Sequence, residues 1–189
     1  MKFSENWLRT FIDPPLTSAA LADVLMMCGL DVDAVEAAAP PLAGVIAAEV
    51  VEIGKHPSAD RLQVCKVNTG TDVITVVCGA PNVAVGMRVA LATVGAKLPG
   101  MEIRQAKVRG VESSGMLCSA KELGIADDAS GLLALPADVQ LGRDIRAALE
   151  LDDTLITIKP TPNRGDCLSM RGIAREVAAM TGEIGRAHV

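Results

Sequence analysis

From Val45 to Cys118 apolar residues recur with a period of two in short runs, and turn-forming residues punctuate the gaps. The runs are Val45–Ile53, Leu62–Val67, Val73–Cys78, Arg88–Thr93, a strand near Ile103–Val108, and Met116–Cys118. The breaks are HPSAD at His56–Asp60, NTGTD at Asn68–Asp72, GAPN at Gly79–Asn82 and LPG at Leu98–Gly100. Alternation puts successive side chains on opposite faces of a strand, so such a chain buries one face by curling into a barrel or stacking two sheets. Evenly spaced short strands with one small helix, about five strands in the main, predict a closed or nearly closed barrel of the OB type; a β-sandwich is the structural alternative.

The flanks follow a different period. Ser4 is placed to cap a helix, with Phe3 and Leu8 as a hydrophobic staple and Asp13-Pro14-Pro15 as its stop. Thr17 or Ser18 caps a second helix in which Leu21, Val24, Leu25 and Cys28 share a face, and Gly29 ends it. Leu30, Val32 and Ala34 then alternate with acids as in a half-buried strand, before a linker at Ala37–Pro41. After Leu151, Leu155–Ile158 is a strand, and Asn163–Asp166 is a turn. Asp166 or Ser169 caps a helix over Met170–Met180 that buries Ile173, Ala174, Val177 and Met180 and closes at Gly182. Neither flank buries a core alone. The economical arrangement is an α+β, mostly β molecule: residues 1–38 and 152–189 form halves of one small discontinuous α+β domain, and residues 39–151 form an OB barrel inserted between them. The end at Arg186-Ala187-His188-Val189 follows soon after a helix, and the chain is read as cut from a longer one.

The stretch KVRGVESSGMLCS, Lys107–Ser119, concentrates the features of a binding rim. Gly110 and the Ser113-Ser114-Gly115 bend flank a short segment carrying Lys107 and Arg109, and Ser119 opens a capping box with Glu122 that starts a short helix ended by Gly124. The net charge of −5 is uneven: residues 1–38 hold two bases and six acids, residues 39–151 eleven and twelve, residues 152–189 five and five. Within this balance Lys97–Arg109 has four bases, Lys97, Arg104, Lys107 and Arg109, against the single acid Glu102. Such an excess suits a nucleic-acid phosphate. Phe3, Trp7 and Phe11 are the only aromatics, at helical spacing, and are assigned to the core. The chain beyond them therefore lacks the ring faces on which single-stranded bases stack, and any RNA contact must rest on phosphates and shape.

Arg61, Lys97, Arg104, Lys107, Arg109 and Lys121 are the candidate phosphate contacts, with Asn82, Ser114 and Ser119 as weaker hydrogen-bond donors. Asn82 also suits a turn residue bonding nearby backbone. His56 and His188 have no obvious Ser or Cys partner, and His56 precedes a proline at a turn, so neither is assigned catalysis. The five cysteines, without CxxC spacing, are read as reduced buried hydrophobes rather than metal ligands. Arg164-Gly165-Asp166 is not read as an adhesion motif in so thiol-rich a sequence. No apolar run approaches a membrane span and the start lacks a signal-peptide core, which predicts a cytoplasmic protein with no membrane partner.

Taken together, HPSADRLQVCKV (His56–Val67), VVCGAPNV (Val76–Val83), VGAKLPGMEI (Val94–Ile103) and KVRGVESSGMLCS resemble the EMAP-like tRNA-binding OB domain. The opening MKFSENWLRTFID and the tail PTPNRGDCLSMRGIAREVAA resemble the bacterial phenylalanine–tRNA ligase β subunit family, so that the resemblance spans essentially the whole chain. It implies the N-terminal part of a longer subunit of an enzyme that joins phenylalanine to its tRNA using ATP and Mg, with an α partner and two copies of each subunit. It also implies that aminoacylation belongs to the α subunit, and that the editing pocket and metal-binding acidic cluster of the β subunit lie beyond this chain. No catalytic residue, metal or cofactor is therefore assigned here, and DNA is not an expected partner. A structural or protein-interaction OB module with little RNA affinity is the alternative, favoured by the near-neutral charge and missing aromatics. A free-standing tRNA-binding protein is a third reading, disfavoured by the flanking halves.

Overall fold

A computed structural model describes residues 1–185; His188 lies outside them. In chain order the first elements are β1 (Lys2–Ser4), α1 (Glu5–Phe11), α2 (Ser18–Met27) and β2 (Asp31–Ala37). The sheet-rich middle holds β3 (Ala43–Lys55), β4 (Gln63–Asn68), β5 (Val73–Cys78), β6 (Arg88–Leu98), β7 (Met101–Glu102), β8 (Ala106–Val108), β9 (Val111–Ser113) and β10 (Gly115–Leu117). The short α3 (Ile145–Ala148), β11 (Thr154–Lys159) and α4 (Met170–Thr181) follow. The molecule is mixed α+β and mostly sheet. It divides into two units, one of Met1–Ala38 with the segment from Asp152 onward, the other of Ala39–Leu151. Among the described residues no helix is long and apolar enough to cross a membrane.

In the first unit β11 is the central strand, antiparallel to β1 on one side and to β2 on the other. Ser4 caps α1 by accepting the Trp7 N–H at 2.9 Å, and Phe3 and Leu8 on either side of the cap are buried in one core. Thr17 caps α2 and Ser169 caps α4 in the same way. The first-unit core gathers Leu21, Leu25 and Leu30 with Ile156, Ile158, Ile173 and Val177. Two of the expected core residues are not in it. Trp7 is 55% exposed, packing edge-to-face on half-buried Phe11 at 6.5 Å. The cap leaves Phe3 on a strand, so the three rings do not share a helical stripe. Met180 is 50% exposed because the buried stripe of α4 runs through Met170, Ile173, Ala174, Val177 and Ala178. Gly172 of α4 lies against the preceding 3-10 turn so closely that a Cβ there would fall 1.8 Å from the Asp166 carbonyl oxygen.

In the second unit the strand order is β10-β6-β3-β4-β5, with β7 paired to β6. The long β3 serves two neighbours: residues 43–49 pair with β6 and residues 49–55 with β4, and register shifts between Ala43 and Val45 and between Val50 and Glu52 bend it between them. Both faces of β6 are covered, Val89 and Leu91 facing one cluster and Ala90 and Ala92 another, which is why Arg88–Thr93 has an unbroken apolar run. At the far edges the Ser114 N–H donates to the Thr75 carbonyl at 2.9 Å and the Val77 N–H to the Ser113 hydroxyl at 3.1 Å, so the β9–β10 corner is hydrogen-bonded to β5. The strand foreseen over Ile103–Val108 is instead split. Ile103 exchanges hydrogen bonds with the Gly95–Ala96 segment, and β8 turns back onto β9.

Candidate nucleic-acid interface

The β8–β9 hairpin is closed by Arg109 and Gly110, whose φ angles are 45° and 96°. Positive φ at both central residues matches the twist of the flanking strands in a two-residue hairpin. Arg109 is a non-glycine residue in a region where Asn and Gly are the usual occupants, and its side chain stands exposed at the tip. Lys107 lies opposite Glu112 in the same hairpin. His56, only 6% exposed, holds this tip in place. Its Nδ1 accepts the Ser58 N–H at 3.2 Å, which leaves the proton on Nε2 to be donated to the Val108 carbonyl at 3.2 Å. The Ser58 hydroxyl donates to the Arg109 carbonyl at 3.1 Å. His56 is therefore a structural residue whose product is the position of the hairpin.

Arg61 and Arg109 line one small cleft of about 310 Å³ with Asp60 and Leu62. Lys55, at the end of β3, lines an adjoining hollow that shares Asp60 and Leu62. Lys55 was not singled out from the sequence; its position immediately before His56, at the mouth of the same turn, was the available signal. Lys55, Arg61, Lys107 and Arg109 are all exposed, and none has an ion-pair partner among the described residues. Lys97 and Arg104 belong elsewhere, at the β6–β7 corner, where Lys97 pairs in register with Glu102 and Arg104 bonds the Glu102 carboxylate at 3.1 Å. The candidate bases thus separate into the rim formed by the 55–61 turn with the hairpin tip, the β6–β7 corner, and Lys121.

Lys121 stands at a third place, a cleft of about 580 Å³ lined by Cys78, Gly79, Ala80, Pro81, Met116, Leu117, Ser119, Glu122, Gly131 and Leu132 among others. Asn82 and Ser119 help to build it. The Asn82 amide donates to the Leu132 carbonyl at 3.0 Å and accepts the Leu132 N–H at 2.8 Å. The Ser119 hydroxyl and N–H both donate to Glu122 Oε2 at 2.7 Å, and the hydroxyl accepts the Glu122 N–H at 3.3 Å. The capping box foreseen at Ser119 thus forms, but it closes a single turn and no regular helix follows before Gly124. Ser114 is half-buried, its N–H bonded to Thr75.

All five cysteines are free thiols. Burial pushes Cys118 up to about 12 and Cys167 up to about 11, which makes both inert at neutral pH. Cys78 is drawn the other way, downward, chiefly because Cys65 donates a hydrogen bond to it, with help from the Ala80 N–H. The one grouping among the described residues with metal-ligand spacing is Asp166, Cys167 and Glu176. The Arg164 guanidinium already bonds all three, at 3.3, 2.9 and 3.0 Å, so these residues do not fit a Mg ion.

Comparison with known proteins places these observations. The family described as "Putative tRNA binding domain" matches residues 45–144. Over 97% of its length the chain is 57% identical to the phenylalanine–tRNA ligase β subunit of Aromatoleum aromaticum. Over 96% it is 60% identical to the same subunit of Dechloromonas aromatica. The chain spans 23% of the length of each. Among solved structures it is similar to the C-terminal domain of Plasmodium vivax p43, at 24% identity and a TM-score of 0.40, covering 52% of this chain and 56% of that one.

Proposed function

This chain belongs to the tRNA-binding domain family that matches its residues 45–144, and from that membership we propose that the 39–151 unit is an OB barrel that binds tRNA through backbone phosphates. The family match carries this reading. The rim of Arg61, Lys107 and Arg109 supports it, because three unpaired cations held by a rigid turn suit an anionic backbone. Lys97, Arg104 and Lys121 add weaker contacts at the other two places, and Ser114 one hydrogen bond. The corner bonds at Ser113 and Ser114 support closure of the barrel, and residues 1–38 and 152–189 are read as two halves of one discontinuous domain.

We read the chain as part of a β subunit like those of its relatives, working with an α subunit in an assembly of two of each in the cytoplasm. ATP and Mg act in parts of that enzyme outside this chain, and these residues contribute RNA binding and architecture rather than catalysis. The test is tRNA binding by this chain across a salt series. Affinity falls by roughly 0.7 to 0.9 log units per phosphate contact per decade of salt, and the combined R61E, K107E and R109E changes flatten the slope and weaken binding at least tenfold. A flat salt response in the unaltered chain favours the second reading, a protein-interaction module, to which the Arg104–Glu102 pairing and the lack of aromatics in this unit point.

A further inference from the structure

The cleft beside Lys121 has features that phosphate binding at the hairpin rim does not use. It is a built site. The Asn82 amide clamps the backbone of Leu132 through two hydrogen bonds, and Gly131 packs so tightly against that amide that a Cβ would fall 2.4 Å from Asn82 Oδ1. The Ser119–Glu122 capping box fixes the opposite side. At about 580 Å³ the cleft falls within the range that holds small organic ligands. Ala80, Pro81, Met116, Leu117 and Leu132 supply an apolar lining, and the thioether of Met116 can take the face of a planar ring where no aromatic side chain is present. The polar groups are few and distinct. The Lys121 ammonium has no hydrogen-bond or ion-pair partner among the described residues, and Glu122 holds the Ser119 hydroxyl and N–H on Oε2 alone, leaving Oε1 unbonded.

We propose that this cleft is a nucleotide subsite: it takes one unstacked base of single-stranded RNA, with Lys121 on the phosphate and Glu122 Oε1 accepting from an exocyclic amine. The proposal rests on the tRNA-binding reading and deepens it, from recognition of backbone alone to recognition of one base. A carboxylate oxygen accepts from the amine of cytosine or adenine, whereas the corresponding edge of uracil offers a carbonyl. The apolar walls are indifferent to which ring enters, so the discrimination falls on Glu122.

The experiment is an NMR titration of the 189-residue chain with CMP, AMP, UMP and, as the ring-free control, ribose 5-phosphate. CMP and AMP are expected to shift the backbone amides of Ala80, Leu117, Ser119 and Gly131 and to bind at least fivefold more tightly than UMP, while ribose 5-phosphate leaves those amides unmoved. Lys121→Ala weakens all three nucleotides several-fold without changing their order. Glu122→Gln keeps the capping box, which accepts Gln in place of Glu, and removes the preference of CMP over UMP. Ribose 5-phosphate shifting the same amides as strongly as CMP overturns the proposal in favour of a plain anion site. Nucleotides that leave these amides in place, or UMP binding as tightly as CMP, overturn it as well. Each of these failures is compatible with salt-dependent tRNA binding at the hairpin rim, so the subsite and the wider reading fail separately.

Discussion

Arg109 separates function from stability at a single position. Its φ of 45° is costly for a residue with a Cβ, and Asn tolerates that region better. Arg109→Asn is therefore expected to leave the fold unchanged or stabilise it by up to about 1 kcal/mol, measured by urea unfolding. The same variant loses tRNA affinity and lowers the salt slope by roughly one phosphate contact. A residue kept for its fold alone would show the first effect without the second. At this scale the sequence was legible wherever a side chain acts on its own backbone: Ser4 caps α1, and Ser119 meets Glu122. It was not legible for the aromatics, since helical spacing says nothing about a cap that removes Phe3 from the helix. Nor did it show that Asn82 reaches Leu132, because that partner is close only after folding.

Among elements, the strands with the clearest alternation were the most predictable. The run over Val73–Cys78 is a strand with those bounds, and the burial of β6 on both faces accounts for its unbroken apolar run. The strand expected over Ile103–Val108 is split because its apolar residues are sparse and its course is set by long-range bonds to β6 and to the His56 turn. Helix α4 offers an element-scale test. Replacing a helical glycine by alanine ordinarily stabilises a helix, by up to about 1 kcal/mol. At Gly172 the added methyl meets the Asp166 carbonyl at 1.8 Å, so Gly172→Ala is expected to destabilise the first unit by about 2 kcal/mol or more. Emission of Trp7, the single tryptophan of the chain, reports on this unit during thermal unfolding. A rise in melting temperature would show that the helix and the turn are not in contact.

For the molecule as a whole, the sequence shows the change of period that separates the flanks from the middle, whereas the grouping of cations into a rim arises from folding. Arg61 and Arg109 are far apart in the chain and share a cleft because His56 and Ser58 tie the hairpin to the turn that precedes Arg61. Acid stability belongs to the other unit. Asp166 is held below its ordinary value of 3.8 chiefly by its hydrogen bonds with Arg164, with Cys167 assisting. A carboxylate depressed on folding stabilises the native state above its ordinary range, and that contribution fades as pH falls through the lower folded value. Asp166→Asn is thus expected to lower the melting temperature at pH 7, with the gap to the unaltered chain narrowing between pH 4 and pH 2. A gap that stays constant over that interval would mean that the Arg164 contact contributes nothing.

The β8–β9 hairpin is fastened at its end as well as at its base, through the Val108 and Arg109 carbonyls. A loop that must be ordered on association gives up conformational freedom at that moment, about 0.5–1.5 kcal/mol for each mobile side chain before the backbone is counted. Here the backbone ordering is complete before any ligand arrives, so encounter with a polyanion needs little rearrangement, and differences in residence time depend on the charges presented rather than on the cost of arranging them.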